Sequence, residues 1–331
     1  MFKRVALAFL LAAGSIAGLQ EGALAQTEIK ISTFSGATNV VTWAAIEKGF
    51  FEKEGLKATA ERTHGSKEQT QDLMQGKYQF ASTSFDNVIA YTEGESEIKI
   101  PDYDAVAIMG VHQGMTSVMA RPEIKKYQDI KGQTVAVDSP TSGYSTVLYQ
   151  IIKDKAGLEK DKDYKVISTG GTRSRVKALE DKAAVAAIIS TPNDLNLVEK
   201  GYNRLGDVNE ELGAYQGSTF IVRKSYAKAN PKVVEAFARA IVAANDFVFS
   251  DKAGAIAVLK NNLKDLSDAE ANKIYDRLIG PGGLNKRAAV SVKGVENVLK
   301  LRSVYGDSKG PAADPKKYVD VSYHEKAAAK K

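Results

Sequence analysis

Small hydroxyl residues end several short apolar runs of this sequence, at the points where helices are expected to begin. Phe80–Asn87 reads FASTSFDN, and Ile188–Asp194 reads IISTPND. Backbone N–H groups at a helix start, together with serine and threonine hydroxyls, can hold an anion or a polar head group. The chemistry that these positions offer is therefore that of anion binding.

The same residue types recur at each expected strand end, and they form two sets. The first set is Ser35, Gly36, Ser66, Thr83 and Ser84, and the second is Thr141, Ser142, Gly143, Thr172, Ser190 and Thr191. Open α/β sheets bind ligands beyond the carboxyl ends of their strands. We therefore predict that each set is one side of a single cleft, with Arg173 as the best-placed cation and Phe85 and Tyr144 as an aromatic wall.

Each of these positions also has a simpler interpretation. Serine or threonine before a helix is often only an N-cap residue, worth about 1 kcal/mol of stability. Arg173 could be an exposed residue of a first helical turn, and Phe85 and Tyr144 could belong to the core. Two matching sets of positions favour a cleft over capping alone.

Other kinds of site find little support in the sequence. His64 and His112 have no carboxylate or histidine at metal-ligand spacing, so we interpret both as loop or core residues. Phosphate-loop, dinucleotide-binding and nucleophile-elbow motifs are absent. Asp86 and Asp138 flank the strand ends and could face away from the cleft as turn residues. We expect no metal, no cofactor and no catalytic residue.

The first 25 residues have the order of a secretory signal peptide. Lys3 and Arg4 precede an apolar run, and Ala-Leu-Ala offers a cleavage site before Gln26. The sequence contains no cysteine, which excludes disulfides, thiolate metal sites and a lipid-anchored cysteine. The net charge of +6 is spread among 40 acidic residues and forms no basic stripe for nucleic acid. We expect an exported, periplasmic protein that is not lipid-anchored.

Short β-like runs alternate with amphipathic helical stretches, which predicts an α/β fold. The βαβαβ landmarks of the first half return in the second half. Two similar segments, Thr116–Arg121 (TSVMAR) and Ser218–Arg223 (STFIVR), bracket that second unit. They predict two crossovers between lobes, with lobe 1 formed by residues 26–114 and 218–331 and lobe 2 by residues 115–217. The tail after residue 323 is predicted to fray.

Three stretches resemble a known family. They are Trp43–Leu56 (WAAIEKGFFEKEGL), the segment HGSKEQTQDLMQGKYQFASTS that follows, and Asp129–Val137 (DIKGQTVAV). Their order resembles the substrate-binding proteins of ABC importers in the nitrate, sulfonate and taurine group, which is NMT1/THI5-like. The resemblance implies a two-lobed periplasmic binding protein of type II, with mixed sheets flanked by helices, that closes on a small ligand.

The resemblance also implies a site and a partner. The sulfonate-type contacts of the family fall on Thr83 and Ser84 in lobe 1 and on Thr141, Ser142, Gly143 and Tyr144 in lobe 2. An ABC importer permease would be the partner of a monomeric binding protein.

The sequence departs from the family pattern at three places. Asp181–Val185 reads DKAAV where Gly-x-x-Asp-Ala is common, Ser190-Thr191-Pro192 replaces the Trp-Asp-Pro of sulfonate members, and Gln79 replaces an aspartate. Sulfonate, taurine-like, carboxylate, nitrate and pyrimidine ligands all stay open. The cysteine-rich motif of the fungal pyrimidine-forming relatives is excluded.

The expected function is capture of a small organic anion, of sulfonate or carboxylate type, and its delivery to an importer. An enzyme on the same two-lobed fold, similar to chorismate dehydratase, is one alternative, and the export signal argues against it. A second alternative is a protein that presents its bound ligand to a membrane sensor.

Overall fold

A computed structural model describes residues 26–306 and 314–329 of the chain. The predicted signal peptide, residues 1–25, lies outside this described part. The described residues form two five-stranded mixed sheets flanked by helices. Within these two ranges, no helix combines the length and the apolar character needed to cross a membrane.

The first sheet is the centre of lobe 1. Its strand order is β2-β1-β3-β10-β4. These strands are β1 (Thr27–Thr33), β2 (Leu56–Arg62), β3 (Phe80–Ser84), β4 (Ala105–His112) and β10 (Ser218–Arg223). Strand β1 pairs in parallel with β2 and β3, and β10 runs antiparallel to β3 and β4.

The second sheet is the centre of lobe 2, and its layout is similar. Its strand order is β7-β6-β8-β5-β9. These strands are β5 (Thr116–Ala120), β6 (Thr134–Val137), β7 (Lys165–Ser168), β8 (Ala186–Ser190) and β9 (Asn203–Asp207). Strand β6 is parallel to β7 and β8, while β5 is antiparallel to β8 and β9.

The chain passes from the first sheet to the second after β4 and returns with β10, which gives the fold its two crossovers. The predicted α/β fold with two mixed sheets is confirmed. The exact lobe boundaries at 114/115 and 217/218 stay predictions.

The helices cover the faces of both sheets. Those before the first crossover are α1 (Val40–Glu47), α2 (Phe50–Lys53), α3 (Ser66–Met74) and α4 (Phe85–Thr92). Those between β6 and β10 are α5 (Gly143–Ala156), α6 (Thr172–Glu180), α7 (Asn193–Glu199) and α8 (Val208–Leu212). Those after β10 are α9 (Lys224–Ala229), α10 (Pro231–Ser250), α11 (Lys252–Asn262), α12 (Asp268–Ile279), α13 (Val292–Tyr305) and α14 (Ser322–Ala329).

Local sequence signals explain several helix boundaries. Gly49 has φ of 70°, a left-handed conformation that favours glycine, and it separates α1 from α2. The capping box at the start of α12 is present: the Ser267 N–H donates to Glu270 Oε2 at 2.8 Å, and the Glu270 N–H donates to Ser267 Oγ at 3.3 Å. The expectation of a frayed tail is wrong for residues 324–329, because α14 packs against α10; residues 330–331 lie outside the described part of the chain.

The core of lobe 1 depends on the long amphipathic helix α10. Phe237 of α10 stacks on Phe80 of β3 with ring centroids 3.8 Å apart and ring planes within 6°. It also meets Phe220 of β10 edge-on at 5.4 Å. All three rings are almost fully buried, so this aromatic cluster fixes α10 on the strands that lead to the cleft.

Helix α13 joins the two lobes on the side of the cleft formed by α4 and α5. Its Arg302 is buried and donates from Nε to Asp86 Oδ1 at 3.0 Å, with a second bond from Nη2 to Oδ2. The same Nη2 donates at 2.9 Å to the carbonyl of Thr141, in the loop that leads to α5. Burial raises the pKa of the Asp86 carboxyl, and the guanidinium of Arg302 opposes that rise. One buried ion pair therefore links α4, α13 and the start of α5.

Replacing Asp86 with alanine should lower the free energy of unfolding by about 3–5 kcal/mol, because Arg302 would lose its bidentate partner while it stays buried. Urea denaturation monitored by circular dichroism measures this loss. Adding Arg302→Met to Asp86→Ala should recover part of it. Asp276→Ala, which removes an exposed ion pair with Lys252, is the control. An Asp86→Ala variant as stable as this control would contradict the structural role assigned to the pair.

Candidate functional site

A cavity of about 620 Å³, partly open to solvent, lies between the two lobes at the carboxyl ends of the parallel strands. Residues from both lobes form its wall: Phe34, Ser35, Thr38, Asn39, Ser82, Ser84, Asn87, His112, Asp138, Ser142, Gly143, Tyr144, Thr172, Arg175, Ser190 and Ser218. Seven residues of the two predicted sets and aromatic wall are among them: Ser35, Ser84, Ser142, Gly143, Tyr144, Thr172 and Ser190.

Strand alternation decides which hydroxyl residues of β3 reach the cavity. Ser82 and Ser84 line it, whereas Thr83 does not. Successive side chains of a strand point to opposite faces of the sheet. The strand continues to Ser84, so the Ser-Thr ending lies inside β3 rather than after it. The Thr83 hydroxyl instead accepts a hydrogen bond from Asn87 Nδ2 at 3.2 Å.

Capping does not explain the two serines that precede the helices at the cavity. Ser84 occupies the N-cap position of α4 and Ser142 that of α5, but neither side chain accepts a hydrogen bond from a backbone N–H of its own helix. The Ser142 hydroxyl bonds to that of Ser145 at 2.8 Å. The Ser84 hydroxyl makes no hydrogen bond of good geometry among the described residues. Ser84 therefore offers the cavity a free hydroxyl.

Two helix starts of lobe 1 receive hydrogen-bond acceptors from lobe 2. The Ala37 N–H, in the turn before α1, donates to the Thr191 carbonyl at 2.9 Å. At the start of α3, the Ser66 N–H donates to Asp138 Oδ2 at 3.4 Å, and the Ser66 hydroxyl donates to the same oxygen. The first N–H groups of a helix have no partner within the helix. Lobe 2 therefore completes both starts.

Two helix starts of lobe 2 are completed by lobe 1 in the same way. The Gly143 N–H, at the start of α5, donates to Asn87 Oδ1 at 3.1 Å. The Gly171 N–H, at the N-cap of α6, donates to the His64 carbonyl at 2.9 Å. Asn87 is the residue that the Thr83 hydroxyl orients, so Thr83 acts behind the cavity wall. The two lobes are thus in direct contact around the cavity.

Gly143 lies where the lobes approach most closely. A Cβ at this position would collide with Ser84 Oγ, and it would lie 2.8 Å from the Cβ of Asp86. Both of these residues belong to the opposite lobe. Glycine is therefore required at this position for the lobes to meet as they do here.

The buried cation of the cavity is Arg175 and not the expected Arg173. Arg175 Nε donates to the Ile188 carbonyl at 2.9 Å, and Nη1 donates to the Gly170 carbonyl at 2.8 Å. Because these acceptors are neutral, the guanidinium brings a positive charge to the cavity wall without a carboxylate in contact. Arg175 lies one helical turn after Thr172, whereas Arg173 is rotated away from that face and is exposed.

Asp138 corrects the expectation that both flanking aspartates face away from the cleft. Its carboxylate follows β6, lines the cavity and binds Ser66 of the opposite lobe. Asp86 is the aspartate that turns away, toward Arg302. The cavity wall therefore carries one carboxylate and one guanidinium, and its formal charges balance.

His112 is a neutral donor in the cavity wall. Its Nδ1 accepts hydrogen bonds from the N–H groups of Gly114 at 3.1 Å and Met115 at 3.2 Å, which places the ring proton on Nε2. Burial lowers the pKa of His112 to about 4. The ring lies nearly parallel to that of Tyr144, with centroids 6.4 Å apart. Burial also raises the pKa of Tyr144, so its phenol stays protonated and able to donate.

The structure places the other predicted residues outside the cavity wall. Phe85 is fully buried in an apolar cluster, and its interpretation as a core residue is correct. The Thr141 hydroxyl accepts a hydrogen bond from the Glu97 N–H at 3.0 Å. Gly36 packs against Ser190 and Thr191 across the cleft. Ser66, Thr83, Thr141 and Thr191 thus hold the lobes or their loops together and do not line the cavity.

Sequence reasoning did not select nine cavity residues: Phe34, Thr38, Asn39, Ser82, Asn87, His112, Asp138, Arg175 and Ser218. Spacing could have found two of them, because Ser82 is two residues before Ser84 on a strand and Asn87 is three residues after it on a helix. His112 carried a different signal, since it directly follows the largely apolar run Ala105–Val111, which is consistent with a buried strand.

Among the described residues, no cluster of His, Asp or Glu could hold a metal ion.

Several solved structures share the architecture of this chain. The periplasmic nitrate-binding protein NrtA from Synechocystis PCC 6803 has a TM-score of 0.77 at 15% identity, covering 92% of this chain and 89% of that chain. The alkanesulfonate-binding protein SsuA from Xanthomonas axonopodis pv. citri, bound to MOPS, has a TM-score of 0.69 at 16% identity, covering 85% and 93%. The periplasmic aliphatic sulphonate binding protein SsuA from Escherichia coli has 0.64 at 17%, covering 88% and 97%.

These likenesses establish that the chain has the two-lobed periplasmic binding protein fold. Residues 39–255, about two thirds of the sequence, match the family described as NMT1/THI5 like. The chain belongs to this family. A comparison with curated protein sequences gives no match.

The buried His112 should make stability depend on pH. Its pKa of about 4 in the folded state lies below the ordinary 6.5, so the unfolded chain binds the proton more tightly. The free energy of unfolding should therefore fall by about 3 kcal/mol as the pH falls from 6.5 to 4. Urea denaturation across this range should give a flatter profile for His112→Gln than for the wild type. His64→Gln, at an exposed position, is the control, and equal slopes for all three proteins would contradict the assignment.

Proposed function

We propose that this protein is the periplasmic solute-binding component of an ABC importer. It captures a small organic anion between its two lobes and delivers it to a membrane permease. The observation that carries the proposal is the set of neutral hydrogen-bond donors from both lobes around one cavity, beside the starts of α4, α5 and α6. Donors at helix starts stabilise negative charge without a contacting cation.

Three donors support an anionic head group in particular. Among the described residues, neither the Ser84 hydroxyl nor the phenol of Tyr144 makes a hydrogen bond of good geometry. The third donor is Nε2–H of His112, because its Nδ1 is occupied by backbone N–H groups. These groups come from β3, α5 and β4, so a bound anion would contact both lobes together.

The charges of the wall fit an organic anion better than a cation. Arg175 adds a positive charge behind Thr172, whose hydroxyl it contacts at 3.1 Å. Asp138 is already engaged by Ser66, which lies at the positive end of α3. A cationic ligand would need free carboxylates with an aromatic cage, and the cavity wall offers only Asp138.

Binding rather than catalysis fits the state of the titratable groups. A general base works best when its pKa is near the ambient pH, and burial lowers the pKa of His112 to about 4. A pKa this low makes His112 a hydrogen-bond donor rather than a proton acceptor at neutral pH. The proposed periplasmic location rests on the sequence of residues 1–25 and on the fold class.

A ligand screen tests the proposal directly. The protein without residues 1–25 is tested by thermal shift against alkanesulfonates, aliphatic and aromatic carboxylates, nitrate and pyrimidines. We expect an organic anion to give the largest rise in melting temperature, because ligand that binds only the folded state stabilises it. A cation or a neutral amine as the best ligand would contradict the proposal.

Replacing Ser84 with alanine should then weaken the best anion by about 10- to 150-fold, the equivalent of about 1.5–3 kcal/mol for one hydrogen bond to a charged group. Isothermal titration calorimetry gives the affinities. Ser225→Ala, at an exposed serine of α9, is the matched control and should bind like the wild type. Unchanged affinity for Ser84→Ala would place the anion elsewhere.

Replacing Gly143 with alanine should prevent full closure, because the new methyl group would collide with Ser84 across the cleft. Gly143 does not have a positive φ, and alanine favours helix, so the fold of lobe 2 should be preserved. Small-angle scattering at saturating ligand should give a larger radius of gyration for this variant than for the wild type. Lys153→Ala on the same helix is the control. A variant as compact as the wild type would show that the contact is not needed for closure.

A further inference from the structure

A second, smaller pocket adjoins the cavity at the edge of the cleft. Its volume is about 320 Å³, and it shares Phe34, Ser35 and Thr172 with the cavity wall. Arg62 and His64 line it from lobe 1, and Arg173 lines it from lobe 2. We name it the mouth pocket. Because the two spaces share three residues, a ligand seated in the cavity could extend into it.

The two arginines of the mouth pocket differ from the other arginines in the described part of the chain. Six of those others form ion pairs with carboxylates: Arg121, Arg204, Arg239, Arg277, Arg287 and Arg302. Arg175 donates to carbonyl groups, and Arg223 lies over the ring of Tyr226. Within the described ranges, Arg62 and Arg173 make no ion pair and no side-chain hydrogen bond.

The position of these arginines makes their charges depend on closure. Arg62 is the last residue of β2, and Arg173 is the second residue of α6. Beside them, the Gly171 N–H donates to the His64 carbonyl across the cleft at 2.9 Å. Closure therefore brings two unpaired cations, one from each lobe, to the same pocket. Like charges repel, and an anion placed between them would replace that repulsion with two attractions.

The acidic groups near Arg62 along the chain are already engaged. Glu61, the residue before Arg62, lies 3.7 Å from Lys30 Nζ and accepts a hydrogen bond from the Tyr78 hydroxyl at 2.9 Å. Glu68 contacts His64 Nδ1 at 3.0 Å and accepts from the His64 N–H at 3.3 Å. The start of α6, a nine-residue helix, adds the positive end of its dipole to the same pocket. The cavity itself has balanced formal charges, so the excess positive charge of the site lies at its mouth.

We infer that the mouth pocket holds a second anionic group of the ligand, so that the ligand is a dianion such as a dicarboxylate or a sulfonated carboxylate. This inference rests on the proposed function. One head group lies at the starts of α4 and α5 in the cavity. The other lies between Arg62 and Arg173, where the guanidinium groups can each hold an oxyanion with paired donors. The second group binds both lobes only when the cleft is closed.

Paired ligands test this inference. Isothermal titration calorimetry compares linear monocarboxylates with α,ω-dicarboxylates of the same chain lengths, and alkanesulfonates with their ω-carboxylated analogues. The proteins are the wild type, Arg62→Gln, Arg173→Gln and the double variant. Lys232→Gln, which removes an exposed cation at the start of α10, is the charge-matched control. Both arginines are exposed, so melting temperatures without ligand should stay unchanged and confirm folding.

The wild type should bind one dianion at least about tenfold more tightly than its monoanionic partner, as expected for a charged hydrogen bond. Each single variant should lose about tenfold for the dianion, and the double variant should lose the preference entirely. Monoanion affinity should stay within error in every variant, and Lys232→Gln should match the wild type.

The other outcomes overturn the inference in distinguishable ways. Equal binding of monoanions and dianions by the wild type would contradict the presence of a second anionic group in the mouth pocket. The proposed anion-binding function would still stand. An equal loss of affinity for monoanions and dianions in the double variant would mean that the two arginines attract any anion and do not bind a second anionic group. Binding of none of these anions by the wild type would instead overturn the proposed function itself.

Discussion

The arrangement of this protein depends on helix starts that are completed by the opposite lobe. A helix leaves its first N–H groups without partners, and most proteins satisfy them with a side chain just before the helix. Here Ser66 of α3 is met by Asp138, and Gly143 of α5 is met by Asn87, each across the cleft. Backbone carbonyls complete two further starts in the same way. Separation of the lobes would expose all four donors to water. Closure of the lobes and the electrostatics of the cavity therefore depend on the same hydrogen bonds.

Two arginines of the C-terminal helices hold the lobes in the relative position in which each lobe completes the helix starts of the other. Arg302 of α13 holds Asp86 of lobe 1 and the Thr141 carbonyl of lobe 2. Arg277 of α12 binds Asp207, at the end of β9, and donates to the Ser117 hydroxyl at 2.9 Å. Both contacts lie beside the two crossovers. An apolar cluster that contains residues of both lobes supports the α13 side, so motion there is expected to be a rotation about well-packed contacts rather than a free separation.

The sequence pattern predicted most of the secondary-structure elements, but it did not predict which of their faces line the cavity. The βαβαβ rhythm and the two similar strand segments led to the correct fold class with two crossovers. The segments TSVMAR and STFIVR look alike, yet β5 lies in the second sheet and β10 in the first. The strand Ala105–His112 was not predicted, although a short apolar run of this kind is consistent with a fully buried strand. The tail was expected to fray because it is the end of the chain, but α10 provides a packing surface for it.

The sequence by itself determined that small hydroxyl residues and glycines stand at strand ends before helices, because these identities are local and each is readable without a partner. Only the tertiary structure decided which of them face the cavity. The register of β3 turns Ser82 and Ser84 inward and Thr83 outward, and the helical rotation of α6 puts Arg175 in the wall and Arg173 at the mouth. Asp138 is part of the site because its carboxylate meets Ser66 of the opposite lobe. His112 is part of the site because it is the last residue of β4, at the cleft. Contacts between residues far apart in sequence have no local pattern, so the charge and the donors of the cavity became visible only once the lobes were together.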